Sequence, residues 1–156
     1  MADYSENQIE EAWNRATTIE GANPNEWRKD PCGAWIKRDQ YGKESRYGWN
    51  IDHIIPKKLF QNNGYDCTSL NRWPMHWKNN NSKADYFPRF PASVISDGTN
   101  NVEVTKNFIL DKFTIDSLLN AKEITGLNAY IQSREQEWIE IYGKEQVQKW
   151  ISSNPV

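Results

Sequence analysis

The pattern of apolar and polar positions changes character several times along the 156 residues. Near the start, Ser5 and Gln8 form a capping-box signature, and Ile9, Ala12, Trp13 and Ala16 recur at helical spacing, which predicts a helix over residues 6–17. Residues 19–28 hold Gly21, Pro24 and two asparagines and read as a loop. Two short stretches rich in aromatic and β-branched residues follow, 32–38 and 47–54, with the polar DQYGKESR between them; together they predict a β-hairpin. Residues 59–69 are loop-like. Residues 71–83 lack glycine and bring Trp73, Trp77 and Asn80 to nearby helical positions, and Pro74 suits a first turn, so a helix is expected there. A Gly-containing turn at Asp97-Gly98, between SVIS and NVEVTKNFIL, predicts a second hairpin. Residues 115–124, 127–142 and 145–152 then read as helices. Leu127, Ile131, Trp138 and Ile141 form an apolar stripe, and Gly143 stands at a C-terminal cap. Mixed elements in this order predict an α+β fold.

Composition narrows the class. Hydrophobic residues make up only 37% of the chain, but aromatics reach 13% with eight Trp, so large rings supply much of the core area. The length suits one domain, read as an N-terminal helix and loop (1–26), a centre (27–91) and a C-terminal hairpin and helical extension (92–156). No apolar run approaches the roughly 20 residues a bilayer span needs, and the N-terminus is acidic and amphipathic, so no membrane contact and a cytoplasmic location are expected. Cys32 and Cys67 are the only cysteines and there is no C-x-x-C pair, which excludes a disulfide scaffold and a four-cysteine zinc ribbon.

The net charge of −2 hides a segregation: residues 1–24 carry −4, residues 25–90 carry +5 and residues 91–156 carry −3. A basic centre between acidic arms is the footprint of a polyanion-binding site. That centre also holds the chain's chemistry. Asp52-His53 precedes Pro56, Asn71 follows on a connecting segment, and Asn80 opens an N-x-x-K-x-D string ending at Lys83 and Asp85. A hard divalent cation and a neutral imidazole together suit phosphodiester hydrolysis. Asp52 and Asn80 are hard oxygen ligands fit for Mg²⁺, and His53, with a reference pKa of about 6.5, is a candidate general base. Successive strand residues point to opposite faces, so the strand carrying Asp52 and His53 must end or twist there. His76, four residues before Asn80 and so on the same helical face, reads from its position as an exposed or helix-capping residue. Lys57, Lys58, Arg72, Lys78 and Lys83 are candidate contacts to a nucleic-acid backbone, Lys83 being equally readable as a solvated surface lysine.

YGWNIDHIIP and SLNRWPMHWKNNNSKAD, with nine residues from Asn71 to Asn80, resemble the motifs of HNH endonucleases, and the prefix RKDPCGAWIKRDQYG is similar to small stand-alone bacterial members. The resemblance covers about residues 27–86. It implies a ββα-metal (His-Me finger) nuclease core and hydrolysis of DNA, double-stranded or nicked and with RNA not excluded, leaving 5′-phosphate and 3′-hydroxyl ends. It also implies Mg²⁺ or Mn²⁺ as cofactor, His76 as a candidate third metal ligand beside Asp52 and Asn80, and Asn71 as the residue holding the His53 imidazole in its tautomer and orientation. The chain departs from the family in lacking structural-zinc cysteine pairs, so no structural zinc is expected, and in having KKLFQNNGYD where a glycine-rich loop is usual. Two other readings stand beside it: a non-catalytic nucleic-acid-binding module on a degenerate core, and a structural zinc protein built on Cys32, Cys67 and His76. The C-terminal extension, anionic but carrying Trp138 and Trp150, is expected to dock on the centre, on a second copy or on a protein partner.

Overall fold

The computed structural model describes residues 3–56, 69–119 and 127–153, which form a mixed α+β arrangement of small antiparallel sheets and six helices. Helix α1 (Glu6–Asn14) starts as its sequence dictates: Ser5 Oγ accepts the Gln8 N–H at 3.2 Å and Gln8 Oε1 accepts the Ser5 N–H at 2.9 Å. Such a cap contributes about 1 kcal/mol. The helix buries Ile9, Ala12 and Trp13, and its end leads into the short strand β1 (Thr17–Thr18). β1 pairs with β2 (Trp27–Lys29), which pairs with β3 (Trp35–Lys37).

The hairpin expected between 32–38 and 47–54 does not form. β3 takes β2 as its partner, and the second segment becomes β4 (Trp49–His53), antiparallel to β5 (Arg72–His76). Between the two expected strands there is no ladder: the Lys37 N–H donates to the Tyr47 carbonyl at 3.1 Å, and the Trp49 indole N–H donates to the Lys37 carbonyl at 2.9 Å. Both segments carry a fully buried side chain, Ile36 and Trp49, but these meet in a shared core against α1 instead of across a ladder.

The helix expected over 71–83 is also split. A 3₁₀ turn (Ser69–Asn71) leads into β5, and only Trp77–Lys83 is helical, as α2. All five β5 residues are buried, so the strand shows no polar alternation, and a short apolar run of this kind cannot be told from a helix by periodicity. Pro74 is tolerated because β5 is an edge of a two-stranded ribbon. Gly48 enters β4 by close approach: a Cβ there would lie 1.8 Å from the Lys43 carbonyl oxygen.

The long hairpin of β6 (Arg89–Ser96) and β7 (Asn101–Ile109) turns at Asp97-Gly98 and lies against α2. It crosses the 91/92 boundary drawn from the sequence. Helix α3 (Lys112–Leu119) begins earlier than expected, and the 127–142 stretch is divided at Arg134 into α4 (Leu127–Ser133) and α5 (Glu135–Tyr142), before α6 (Lys144–Ser153). Two cores result. Ile9, Trp13, Ile36, Trp49 and Ile51 form the N-terminal one; Trp73, Met75, Phe87, Phe90, Trp138 and Trp150 belong to a larger one that joins the centre to the C-terminal helices. Among the described residues no helix is long and apolar enough to cross a membrane.

Candidate active site

The β4–β5 ribbon separates the two cores, and cross-strand pairs share a face. Asn50 opposes Met75 and Asp52 opposes Trp73; both partners belong to the larger core. Trp49 and Ile51 point the other way, into the N-terminal core, and His53 opposes Arg72, whose guanidinium lies over the Tyr4 ring at 5.9 Å. Strand alternation therefore assigns Asp52 to the α2 side and His53 to the α1 side. His53 is the last rung of the ladder, so a centre that uses both must lie across the end of the ribbon, where the chain turns away.

Lys83, from the last turn of α2, reaches that end. Its Nζ lies 3.2 Å from Asp52 Oδ2 and donates to the His53 carbonyl oxygen at 2.9 Å. Trp73 Nε1 donates to the same carboxylate oxygen at 2.8 Å. Burial pushes the Asp52 carboxyl up, against the opposing pull of Lys83 and these hydrogen bonds. Asn71, fully buried, accepts the Ile55 N–H at 2.8 Å and donates to the Ile55 carbonyl at 3.1 Å, and its own carbonyl accepts the Ile54 N–H at 3.0 Å. It thus clamps the backbone immediately past His53.

Three expectations are corrected here. His76 is not on the helical face of Asn80 but caps α2: its Nδ1 accepts the Lys78 N–H at 3.1 Å, which leaves the proton on Nε2, 2.8 Å from the Arg46 carbonyl. Both ring nitrogens are occupied and burial pushes its pKa down, so it is a neutral structural residue with no lone pair for a metal. Lys83 is completely buried beside Asp52 and cannot meet a nucleic-acid backbone. Arg72 is buried against Tyr4 and is equally removed. Lys78 stays accessible and pairs with Glu103 at 3.1 Å. Lys57, Lys58 and Cys67 lie outside the described residues.

The sequence reading missed three residues, Asp30, Asn79 and Arg15. Asp30 is buried and accepts four N–H groups: Oδ1 from Cys32 and Ala34, Oδ2 from His76 and from Asn79 Nδ2, all at 2.9–3.0 Å. Desolvation nonetheless pushes its carboxyl up to about 6. Asn79 in turn receives the Ser93 and Val94 N–H groups, both at 2.8 Å, where the β6–β7 register shifts. The D-P-C-G turn was the available signal for Asp30. Arg15 spans from α1 to the carbonyls of Ser69 and Arg72, at 2.8 and 2.9 Å, and its isolation as the one cation among residues 1–24 was the signal.

Asp52 and Asn80 offer two hard oxygens, and Asn80 lies one helical turn before Lys83 on the same side of α2. The Lys83 ammonium already balances the Asp52 charge, and no group of three or more His, Cys, Asp or Glu gathers among the described residues. This donor set fits a cation such as Mg²⁺, which keeps several waters and takes one or two protein oxygens plus a substrate phosphate; it does not fit a cation caged by protein alone. Beside Trp73 opens a cavity of about 310 Å³, bordered by Arg15, Lys29, Phe90 and Phe108. Comparison with family models, with curated proteins and with solved structures finds no match for the chain.

Proposed function

We propose that the protein is an HNH-type endonuclease that hydrolyses DNA phosphodiester bonds with a divalent cation at Asp52 and Asn80 and His53 as general base. One observation carries the reading. Three motif elements far apart in sequence converge on residues 52–55: Lys83 grips the Asp52 carboxylate and the His53 carbonyl, and Asn71 clamps Ile55. A reactive imidazole needs a fixed backbone, and these contacts supply one on either side of it.

In this reading His53 accepts the proton of the attacking water. Lys83 and Asn71 are positioning residues: the first holds the carbonyl of His53, the second the turn that follows. A bound divalent cation would supply charge stabilisation at the phosphate and the leaving oxygen. The exposed part of the basic centre, Lys78 included, steers the anionic strand.

The rival reading, a nucleic-acid-binding module on a degenerate core, draws on two facts: Asp52 is already neutralised by Lys83, and strand alternation sets His53 on the opposite face. Plasmid nicking separates the two. An active nuclease converts supercoiled DNA with Mg²⁺ or Mn²⁺ and stops in chelator, and His53→Ala abolishes nicking while Mn²⁺ binding persists. Binding without nicking in any divalent cation supports the rival.

A further inference from the structure

Asn50 stands two residues before Asp52 on β4, and strand alternation puts both side chains on the α2 side of the ribbon. Its Oδ1 is buried and has no hydrogen-bond partner among the described residues. A buried amide oxygen left unpaired costs its full desolvation, so its place calls for an explanation. The other buried polar side-chain atoms in this condition include the indole N–H groups of Trp35 and Trp138, donors attached to rings whose apolar burial accounts for them. Asn50 has no such apolar compensation.

The course of α2 along β4 bears on this oxygen. Helix α2 opens beside the start of β4, where the Trp77 N–H donates to the Gly48 carbonyl at 3.2 Å, and runs toward the strand end, where Lys83 meets Asp52. At about 1.5 Å per helical residue, Asn80 lies about 4.5 Å before Lys83 along that direction. At about 3.3 Å per strand residue, Asn50 lies about 6.6 Å before Asp52. Asn80 therefore comes level with the strand between Asn50 and Asp52.

We propose that Asn50 supplies a third oxygen, through Oδ1, to the divalent-cation site of Asp52 and Asn80. The proposal rests on the nuclease reading above. One carboxylate and two amide oxygens form an all-oxygen set of the kind hard cations take. The amides add ligands without charge, so the site stays weak until a phosphodiester arrives.

The test uses Mn²⁺ as probe on the full chain, its dissociation constant read by electron paramagnetic resonance with and without a short DNA duplex, together with melting in the absence of metal. Asn50→Leu is expected to weaken Mn²⁺ binding by about tenfold or more while the metal-free melting temperature holds or rises, because an unpaired buried oxygen has been removed. Asn50→Asp is expected to tighten Mn²⁺ by about tenfold; should the leucine variant not fold, this arm decides alone. Unchanged Mn²⁺ affinity in Asn50→Leu, or no tightening in Asn50→Asp, overturns the proposal. Asp52→Asn separates the two levels. Mn²⁺ binding that depends on Asp52 but not on Asn50 overturns this inference and leaves the nuclease reading standing. A parent that binds no Mn²⁺ with DNA, or binding indifferent to Asp52, overturns both.

Discussion

Two buried polar clusters flank α2, and they are built on opposite terms. At the start of the helix, Asp30, His76 and Asn79 satisfy one another: the Asp30 carboxylate takes four N–H donors, both His76 nitrogens are engaged, and Asn79 closes the β6 irregularity. At the end of the helix, the Asp52 carboxylate is balanced by a lysine ammonium and shares its face with an amide oxygen that has no hydrogen-bond partner among the described residues. The first cluster joins the D-P-C-G turn, β5, α2 and β6 through hydrogen bonds alone among the described residues. The second leaves one buried acceptor unused, and that is where our proposal puts a cation.

The largest expected effect tests the saturated cluster. Asp30→Ala strips the acceptor from four buried donors and should destabilise the fold by about 3–5 kcal/mol, measured by urea denaturation, since each orphaned buried group costs about 1–3 kcal/mol and relaxation recovers part. A loss below about 1 kcal/mol would mean that water replaces the carboxylate and the cluster is not closed. Next comes the other cluster. Lys83→Met leaves Asp52 buried without its counter-charge and should cost about 3 kcal/mol, while Lys83→Met with Asp52→Asn should recover most of it, because removing both members of a buried pair is far cheaper than removing one. The double variant should be folded and unable to nick DNA; nicking at the parent rate would place the chemistry elsewhere.

A comparable free energy, spread over a pH range, comes from Asp30. Its folded pKa of about 6 lies above the ordinary 3.8, so the stability it contributes is fully present below about pH 3.8 and is lost as pH rises through 6. The shift corresponds to at most about 3 kcal/mol. Urea titrations of parent and Asp30→Asn should show a stability difference that shrinks from pH 4 to pH 6. The difference is the correct readout because His76, its pKa lowered by burial, acts in the opposite sense as pH falls through its ordinary value of 6.5. A pH-independent difference would show that the four N–H donors hold the group ionised throughout.

Asn71→Ala should lower single-turnover cleavage by roughly 10²-fold with little change in DNA affinity, in line with the loss of an oriented general base. The smallest effect belongs to Lys78→Ala: the exposed pair with Glu103 is worth less than about 1 kcal/mol, so melting should barely move. If Lys78 contacts a phosphate, the slope of log affinity against log salt should fall by about 0.9. An unchanged slope removes it from the interface.

Much of this was legible in the residues. The capping box of α1, the Asp97-Gly98 hairpin and the Gly143 stop are local signals, carried within a few positions by dihedral preference and short-range hydrogen bonds, and the α+β class followed from them. The motif residues that crowd around residues 52–55 were legible as types and spacings. Tertiary structure decided which strand pairs with which, because 32–38 and 47–54 are equally apolar and pairing depends on what each buries against. It turned half of an expected helix into β5, since a strand buried on both faces carries no period-2 pattern. It also decided the roles of the charged groups. Lys83 read equally as a phosphate contact or a surface lysine, and His76 as a metal ligand or a helix cap, until burial, beside Asp52 for one and between Lys78 and Arg46 for the other, committed their nitrogens to the protein itself. Sequence specifies which atoms can donate or accept; only the packed chain determines which of them water, a metal or DNA can still reach.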